Sequence, residues 1–405
     1  MIVYRLPEIS NPICTHVRAW SFPELDDINQ ELRATKSLID EPYEENPKRW
    51  DTATRCMEPS YHISRVIRKT IPIANNTVSK LMELLNTFSK YIFPKSGTFV
   101  HFDNAAMPGI FPYAMNYYVH AFHPDLKYEW YASSLITPND LDKDPLMDQY
   151  GLWKNYPGNW LMDEKHNGDV MDPDEQKYFQ DRLAKTVDLY TSDIGFDVSM
   201  NYNEQETLQS PANLGQIISG LLTLKEGGCL ITKQYTFMTP FTISLMGLLT
   251  KRFDRLYITK PMTSKPDNSE TYLVGIGYKG DHGFTANYLM ELLRSASVID
   301  KKGKIVAMKP VSQKKCINTQ FVKAIGAATH HISGNTIAKI RANLKRYAEG
   351  RSCKGVDLSD EVDEWFAFNP IKPIPRDKFL KTTIKSRSKK PRQPPRRKNK
   401  RSAKK

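Results

Sequence analysis

The sequence predicts an α/β protein: a mainly parallel sheet with helices on both faces and a final antiparallel strand. Three observations carry that prediction. Short apolar runs such as GTFVHFD (97–103), VDLYTS (187–192) and GGCLIT (227–232) alternate with longer stretches of helical periodicity, as strand–helix–strand units do. These runs are apolar at consecutive positions, as expected of strands covered on both faces. The last, TYLVGIGY (271–278), follows RLYIT (255–259) after a loop, which suits an antiparallel return.

Taken in order, residues 1–60 carry scattered proline and charge and read as an N-terminal extension, with WSFPELDDINQELRATKSLID (20–40) its clearest helical piece. From 61 to 280 the alternation is regular: helix 76–91, strand 98–103, helix 110–122 and strand 128–134. An Asp/Asn/Pro/Trp-rich insertion then runs to about 166, followed by a short strand around Asp169. Strands 187–192, 228–233, 255–259 and 271–278 come next, with helices 206–224 and 239–253 among them. Residues 281–370 hold helical stretches at 284–294 and 318–348 and read as an appendage, and 371–405 as a disordered basic tail.

Of the 405 residues, 40% are hydrophobic and 11% aromatic, enough for a real core, which excludes a wholly disordered protein. No apolar run approaches the roughly 20 residues that cross a bilayer. The start, MIVYRLPEIS, lacks the basic and apolar segments of a secretion signal, so a soluble intracellular protein without a membrane partner is expected. Five cysteines, Cys14, Cys56, Cys229, Cys316 and Cys353, are odd in number, far apart and without CxxC spacing; reduced structural thiols are expected rather than disulfides or a zinc site. His120 and His123 have no third metal ligand placed by spacing, and helix packing is expected of them. The net charge of +13 is local: Arg376–Lys405 holds fifteen Lys or Arg and one acid, leaving the rest of the chain near neutral. Such a run attracts polyanions by counterion release, which points to nucleic acid; a solubilising tail is the plainer alternative.

Two charges terminate buried-type strands, Asp193 after VDLYTS and Lys233 after GGCLIT. The carboxyl edge of an open α/β sheet is where ligands bind, and an unpartnered charge there is costly, so a paired, site-lining role is expected of both. Glu270 opens the strand TYLVGIGY and Lys80 lies in the helix NNTVSKLMELLNTF, positions that bring them to the same edge; singly, each reads as readily as a solvated charge. The strand ending at Asp103, then NAAMPG and a helix, has the form of a first strand–turn–helix holding a nucleotide-like ligand. It has no GxGxxG, which disfavours a nicotinamide-dependent oxidoreductase. Arg55, Arg65, Arg68 and Lys69 with Tyr61 suit RNA phosphates and a stacked base; a basic amphipathic helix would look the same. Trp153, Tyr156 and Trp160 suit either stacking on a base or packing on the core.

SKLMELL (79–85), FDNAAMPGIF (102–111), TSD (191–193), GGCLITKQY (227–235) and SETYLVG (269–275) resemble, in order and approximate spacing, the motifs of FtsJ-like (RrmJ-like) 2'-O-ribose RNA methyltransferases over about residues 60–280. YGL (150–152) and NWLM (159–162) resemble stretches of the divergent FtsJ-like proteins of large cytoplasmic DNA viruses. The resemblance implies a Rossmann-like methyltransferase fold, S-adenosylmethionine as cofactor, RNA in the form of viral mRNA cap structures as substrate, a capping partner of unknown identity, and the host cytoplasm or the virion as location. It implies a catalytic tetrad of Lys80, Asp193, Lys233 and Glu270, with Lys233 activating or orienting the 2'-hydroxyl and Asp193 near the methyl-transfer centre. It implies a cofactor site at Asp103, Asn104, Ala105, Pro108, Gly109, Asp169 and Asp193, with Asp169 of NGDV reaching the adenine; an ordinary Asn-Gly-Asp turn is an equal reading of that segment. The family's turn reads roughly D-x-G-x-x-P-G-G, whereas Ala105 stands here at the first glycine and Ile110 at the last, and Ser133 and Ser134 stand where an acid often meets the ribose. The competing expectation is a catalytically inactive nucleic-acid-binding or structural protein on the same fold.

Overall fold

A computed structural model of the chain describes residues 1–9, 20–136, 147–195, 202–281, 285–351 and 356–383. Its larger sheet contains β1 (Ile2–Leu6), β2 (Gly97–Asn104), β3 (Leu126–Ser133), β4 (Val187–Ser192), β5 (Leu224–Gln234), β6 (Phe253–Lys260) and β7 (Thr271–Tyr278). A hairpin of β8 (Ser297–Ile299) and β9 (Ile305–Met308) stands apart. The helices among the described residues are α1 (Asp26–Ser37), α2 (Asp40–Glu45), α3 (Pro47–Thr54), α4 (Pro59–Ile67), α5 (Asn76–Ile92), α6 (Ile110–Phe122), α7 (Leu152–Asn155), α8 (Pro173–Leu183), α9 (Gln205–Thr223), α10 (Pro240–Thr250), α11 (Ala286–Ala296), α12 (Thr319–Ala348) and α13 (Ser359–Phe368).

The strand order is β1-β6-β7-β5-β4-β2-β3. β3, β2, β4 and β5 are parallel, and β7 enters antiparallel between β5 and β6 as its sequence context suggested. Because side chains alternate across a pleated strand, neighbouring apolar residues feed two cores. Phe99, Leu189, Ile231 and Val274 join α4, α5 and α6 on one face, while Phe102, Tyr190, Leu230 and Leu273 join α8 to α12 on the other. Each fully buried aliphatic or aromatic side chain contributes about 1.5–3 kcal/mol, so both faces are fixed by the continuous apolar strands.

Three local expectations are corrected. No strand forms around Asp169; Asp172 instead caps α8, accepting from the Asp174 amide, with Pro173 at the first helical position. The sheet edge there is met by a single parallel bridge between Ala132 and Trp160. Residues 371–383 are no free tail: Tyr117 Oη donates to the Lys372 carbonyl at 2.7 Å, Phe379 stacks on Tyr113 and Tyr117, and the Thr383 amide donates to the Tyr150 carbonyl at 2.8 Å. Ile371, Ile374, Phe379 and Leu380 supply the apolar anchors that the surrounding lysines and prolines obscured. The remainder of the expected tail, 384–405, lies outside the described residues. Cys56 is disulfide-bonded, a tertiary pairing that spacing in sequence does not reveal, whereas Cys229 and Cys316 are free and buried.

The N-terminal residues are more than an extension, since β1 pairs antiparallel with β6 from Ile2↔Lys260 to Leu6↔Leu256. α12 packs along β1, α1 and α3. Among the described residues no helix is long and apolar enough to cross a membrane.

Candidate active site

Asp193 and Lys233 lie where β4 and β5 end side by side. Lys233 Nζ donates to the Asp193 carbonyl at 2.7 Å and lies 3.3 Å from its Oδ1. Gly195 permits this approach, because a Cβ there would sit 2.8 Å from Lys233 Nζ and 2.7 Å from Tyr235 Oη. Lys80 reaches the same edge from α5, whose start is capped by Asn75, and pairs with Glu270 Oε1 at 2.9 Å. Tyr272 joins the two pairs: its hydroxyl donates to Asp193 Oδ1 at 2.9 Å, and Lys80 Nζ stands 5.7 Å from its ring. The four residues picked from sequence therefore form one cluster.

The supporting residues were not foreseen. Ser264 Oγ donates to Glu270 Oε1 at 2.9 Å, and Lys260 Nζ donates to the carbonyls of Asn268 and Glu270, both at 2.9 Å. One helical turn beyond Lys80, buried Glu83 accepts from the Met262 and Thr263 amides and from Trp365 Nε1, fixing the loop that ends at Glu270. Glu83 and Lys260 carried no signal beyond belonging to a helix and a strand end; their roles arise from a loop folded onto both.

Charge states follow from the packing. Burial alone would raise the Asp193 carboxyl, but Lys233, Lys80 and the Tyr272 hydroxyl hold it below its ordinary value. Burial alone would lower Lys233, but Asp193, Tyr235 and Glu270 together raise it, so it remains an ammonium at neutral pH. Lys260, buried and less compensated, is brought down to about 8.

A second constellation lies at the ends of β2 and β3. After Asn104 the backbone turns left-handed at Ala105 (φ 56°), runs through a cis Met107–Pro108 peptide and turns left-handed again at Gly109 (φ 92°) to begin α6. The Ala106 amide donates to the Ser133 carbonyl and the Met107 amide to Ser134 Oγ, tying the turn to β3. A Cβ at Gly109 would meet Leu152 at 2.5 Å, and one at Gly168 (φ 76°) would meet the Ser134 carbonyl at 2.2 Å, so both glycines serve close packing.

Asp103 is buried, accepts from Thr191 Oγ1 at 2.5 Å, and is pushed well above the carboxylate range by burial and by Asp193. Thr191 also contacts His101, itself buried, joined to the Tyr128 hydroxyl and lowered to about 3 by burial. Asn104 is buried, with its Oδ1 on the Ala105 amide. Asp169 is half-buried and accepts from the Met171 amide within its own turn, beside the end of β3. Ser133 Oγ, at the end of β3 beside β2, is buried without a partner among the described residues. An unfilled hydroxyl beside a strand–turn–helix fits a polar nucleoside.

Of the expected RNA contacts, Arg55, Arg65 and Arg68 line a cleft with Tyr61, whereas Lys69 is exposed outside it. Tyr156 and Trp160 pack edge-on against Trp130, so these insertion aromatics serve the core. His123 stacks on Phe93 at 4.1 Å.

A profile of the FtsJ-like methyltransferases matches residues 74–278, half of the chain. A probable methyltransferase of African swine fever virus is 38% identical over 214 residues, covering 50% of this chain and 49% of its own. An uncharacterized protein of Acanthamoeba polyphaga mimivirus is 34% identical over 239 residues, covering 57% of this chain and 30% of its own. A cap-specific mRNA (nucleoside-2'-O-)-methyltransferase 2 of Mus musculus is 28% identical over 277 residues, covering 66% and 35%. The chain thus spans half or less of the length of these curated relatives.

Proposed function

The chain belongs to the FtsJ-like methyltransferase family, and from that premise we propose that it transfers a methyl group from S-adenosylmethionine to a ribose 2'-hydroxyl of RNA, at mRNA cap structures in a virus-infected cell. The observation that carries this reading is the closed set of contacts among Lys80, Asp193, Lys233, Glu270 and Tyr272 beside a nucleoside-shaped turn. The name of the mouse relative, a cap-specific mRNA (nucleoside-2'-O-)-methyltransferase, supports the cap as target.

When bound, S-adenosylmethionine supplies an electrophilic methyl on a sulfonium leaving group. Asn104 to Gly109 and the unfilled Ser133 hydroxyl would hold it, with Asp169 at the rim. The protein's remaining task is to orient the attacking oxygen and ease loss of its proton. An ammonium carries three donors, so Lys233, beyond its bond to the Asp193 carbonyl, can present an N–H to the 2'-oxygen. Because Lys233 is held as an ammonium, it steadies negative charge on the oxygen, and the hydroxyl proton passes to solvent as the methyl is taken up. Asp193 fixes its position, and Lys80 with Glu270 holds the opposite wall.

The alternative, a nucleic-acid-binding protein without chemistry, drew on Ala105 in place of glycine. The backbone there takes the left-handed conformation despite its Cβ, which supports the catalytic reading. The test is transfer of labelled methyl to capped and uncapped RNA by the wild type and Lys233→Met. Transfer abolished in the variant with cofactor binding retained is expected; equal transfer by both would remove Lys233 from the mechanism.

A further inference from the structure

We infer that the cleft beside the tetrad holds a single-stranded neighbour of the methylated nucleotide, its base against Tyr61 and its phosphates against Arg55, Arg65 and Lys265. This inference deepens the proposed function and rests on it for the identity of the polymer as RNA.

The cleft, about 210 Å³ and open to solvent, is a built feature. Tyr61 is 36% exposed at its wall, with the Arg55 guanidinium 4.7 Å and that of Arg65 5.9 Å from its ring centre. Aromatic and guanidinium planes of this kind are what unpaired bases stack on, and guanidinium also matches phosphate geometry. Four cations, Arg55, Arg65, Arg68 and Lys265, face two acids, Asp51 and Glu58, and Glu58 is already partnered by Lys265 at 3.6 Å. Arg68 is committed to the wall, donating from Nε to the Ala74 carbonyl at 2.6 Å.

Placement decides the partner. Asn76, which lines the cleft, lies four residues before Lys80 on α5, an axial rise of about 6 Å. Lys265 belongs to the same loop as Glu270. The cleft and the tetrad therefore share a helix and a loop, and a strand of nucleic acid with one ribose at Lys233 would meet the cleft with an adjoining residue.

The experiment is fluorescence anisotropy of a labelled single-stranded RNA with the full chain, titrated over a salt series, for wild type, Tyr61→Ala, Tyr61→Phe and Arg55→Gln/Arg65→Gln. S-adenosylmethionine titration serves as a folding control. Tyr61→Ala is expected to weaken RNA binding about tenfold, while Tyr61→Phe, which keeps the ring, stays within about twofold. The double arginine variant should lower the slope of log affinity against log salt by about 1.4, at about 0.7 per phosphate contact on a single strand. The C-terminal basic run is common to all four proteins, so differences report the cleft. Wild-type affinity and slope in both the Tyr61→Ala and the double variant would overturn the inference, as would absence of RNA binding by the wild type. Methyl transfer is scored separately: binding through the cleft without transfer would defeat the enzyme reading alone, and transfer indifferent to the cleft variants would defeat the cleft alone.

Discussion

The tetrad and the Asn104–Gly109 turn lie on one sheet edge, yet they are made in opposite ways. The tetrad is side-chain chemistry: ammonium and carboxylate groups from a helix, two strand ends and a loop neutralise one another at 2.9–3.3 Å. The turn is backbone chemistry: two left-handed residues, small side chains and amides bonded to the neighbouring strand, with its one carboxyl, Asp103, buried and raised above its ordinary pKa. On the proposed function the first region would place charge at the reacting oxygen, while the second would place surface around a nucleoside. Substitutions should therefore act on turnover in the first region and on fold and affinity in the second.

The largest expected effect is that of Lys233→Met, which should lower methyl transfer by on the order of 10³-fold and leave S-adenosylmethionine affinity by calorimetry within about twofold. A parallel loss of affinity would break the division between the regions. Next is Gly168→Ala, where a positive φ and a Cβ 2.2 Å from the Ser134 carbonyl should cost about 2 kcal/mol or more in denaturant unfolding. The two carboxyls sharpen the contrast by having opposite signs. Asp193 is held below its ordinary pKa, so its stabilisation is present above that value and lost as pH falls through the folded one; Asp193→Asn should lower stability at pH 7 and flatten its acid decline. Asp103 is raised, so folding is penalised progressively as pH climbs above its ordinary value; Asp103→Asn should be equally or more stable at pH 7. The smallest effect belongs to Ala105→Gly, where release of the left-handed backbone, offset by glycine's entropy, should stabilise by about 0.5 kcal/mol in the same unfolding assay.

What the sequence disclosed follows the same division. Elements with unbroken hydrophobic periodicity were placed with correct ends, as at Ile110–Phe122, Val187–Ser192 and Thr271–Tyr278. Asp193 and Lys233 were visible because a charge directly after a buried strand needs a partner. α8 was missed although Asp172 and Pro173 announce it, because a polar insertion preceded it. β1 has only five residues and depends on β6 for its identity. Glu83, Lys260 and Tyr272 acquire their roles only when the Pro261–Glu270 loop folds back, a tertiary event without local periodicity.

The pairing of β1 with β6 also says something about the order in which the protein is made. Ile2–Leu6 leaves the ribosome before its partner strand, which follows about 250 residues later. At 5–20 residues per second the wait is roughly 10–50 s. During that interval the first strand has no sheet to join, and its shortness and the charge of Arg5 limit its use as an edge for other chains. The segment that braces α6 and Tyr150 comes later still, at 371–383. On a translating ribosome the pairing of β1 and the bracing of α6 would thus both wait for segments made much later.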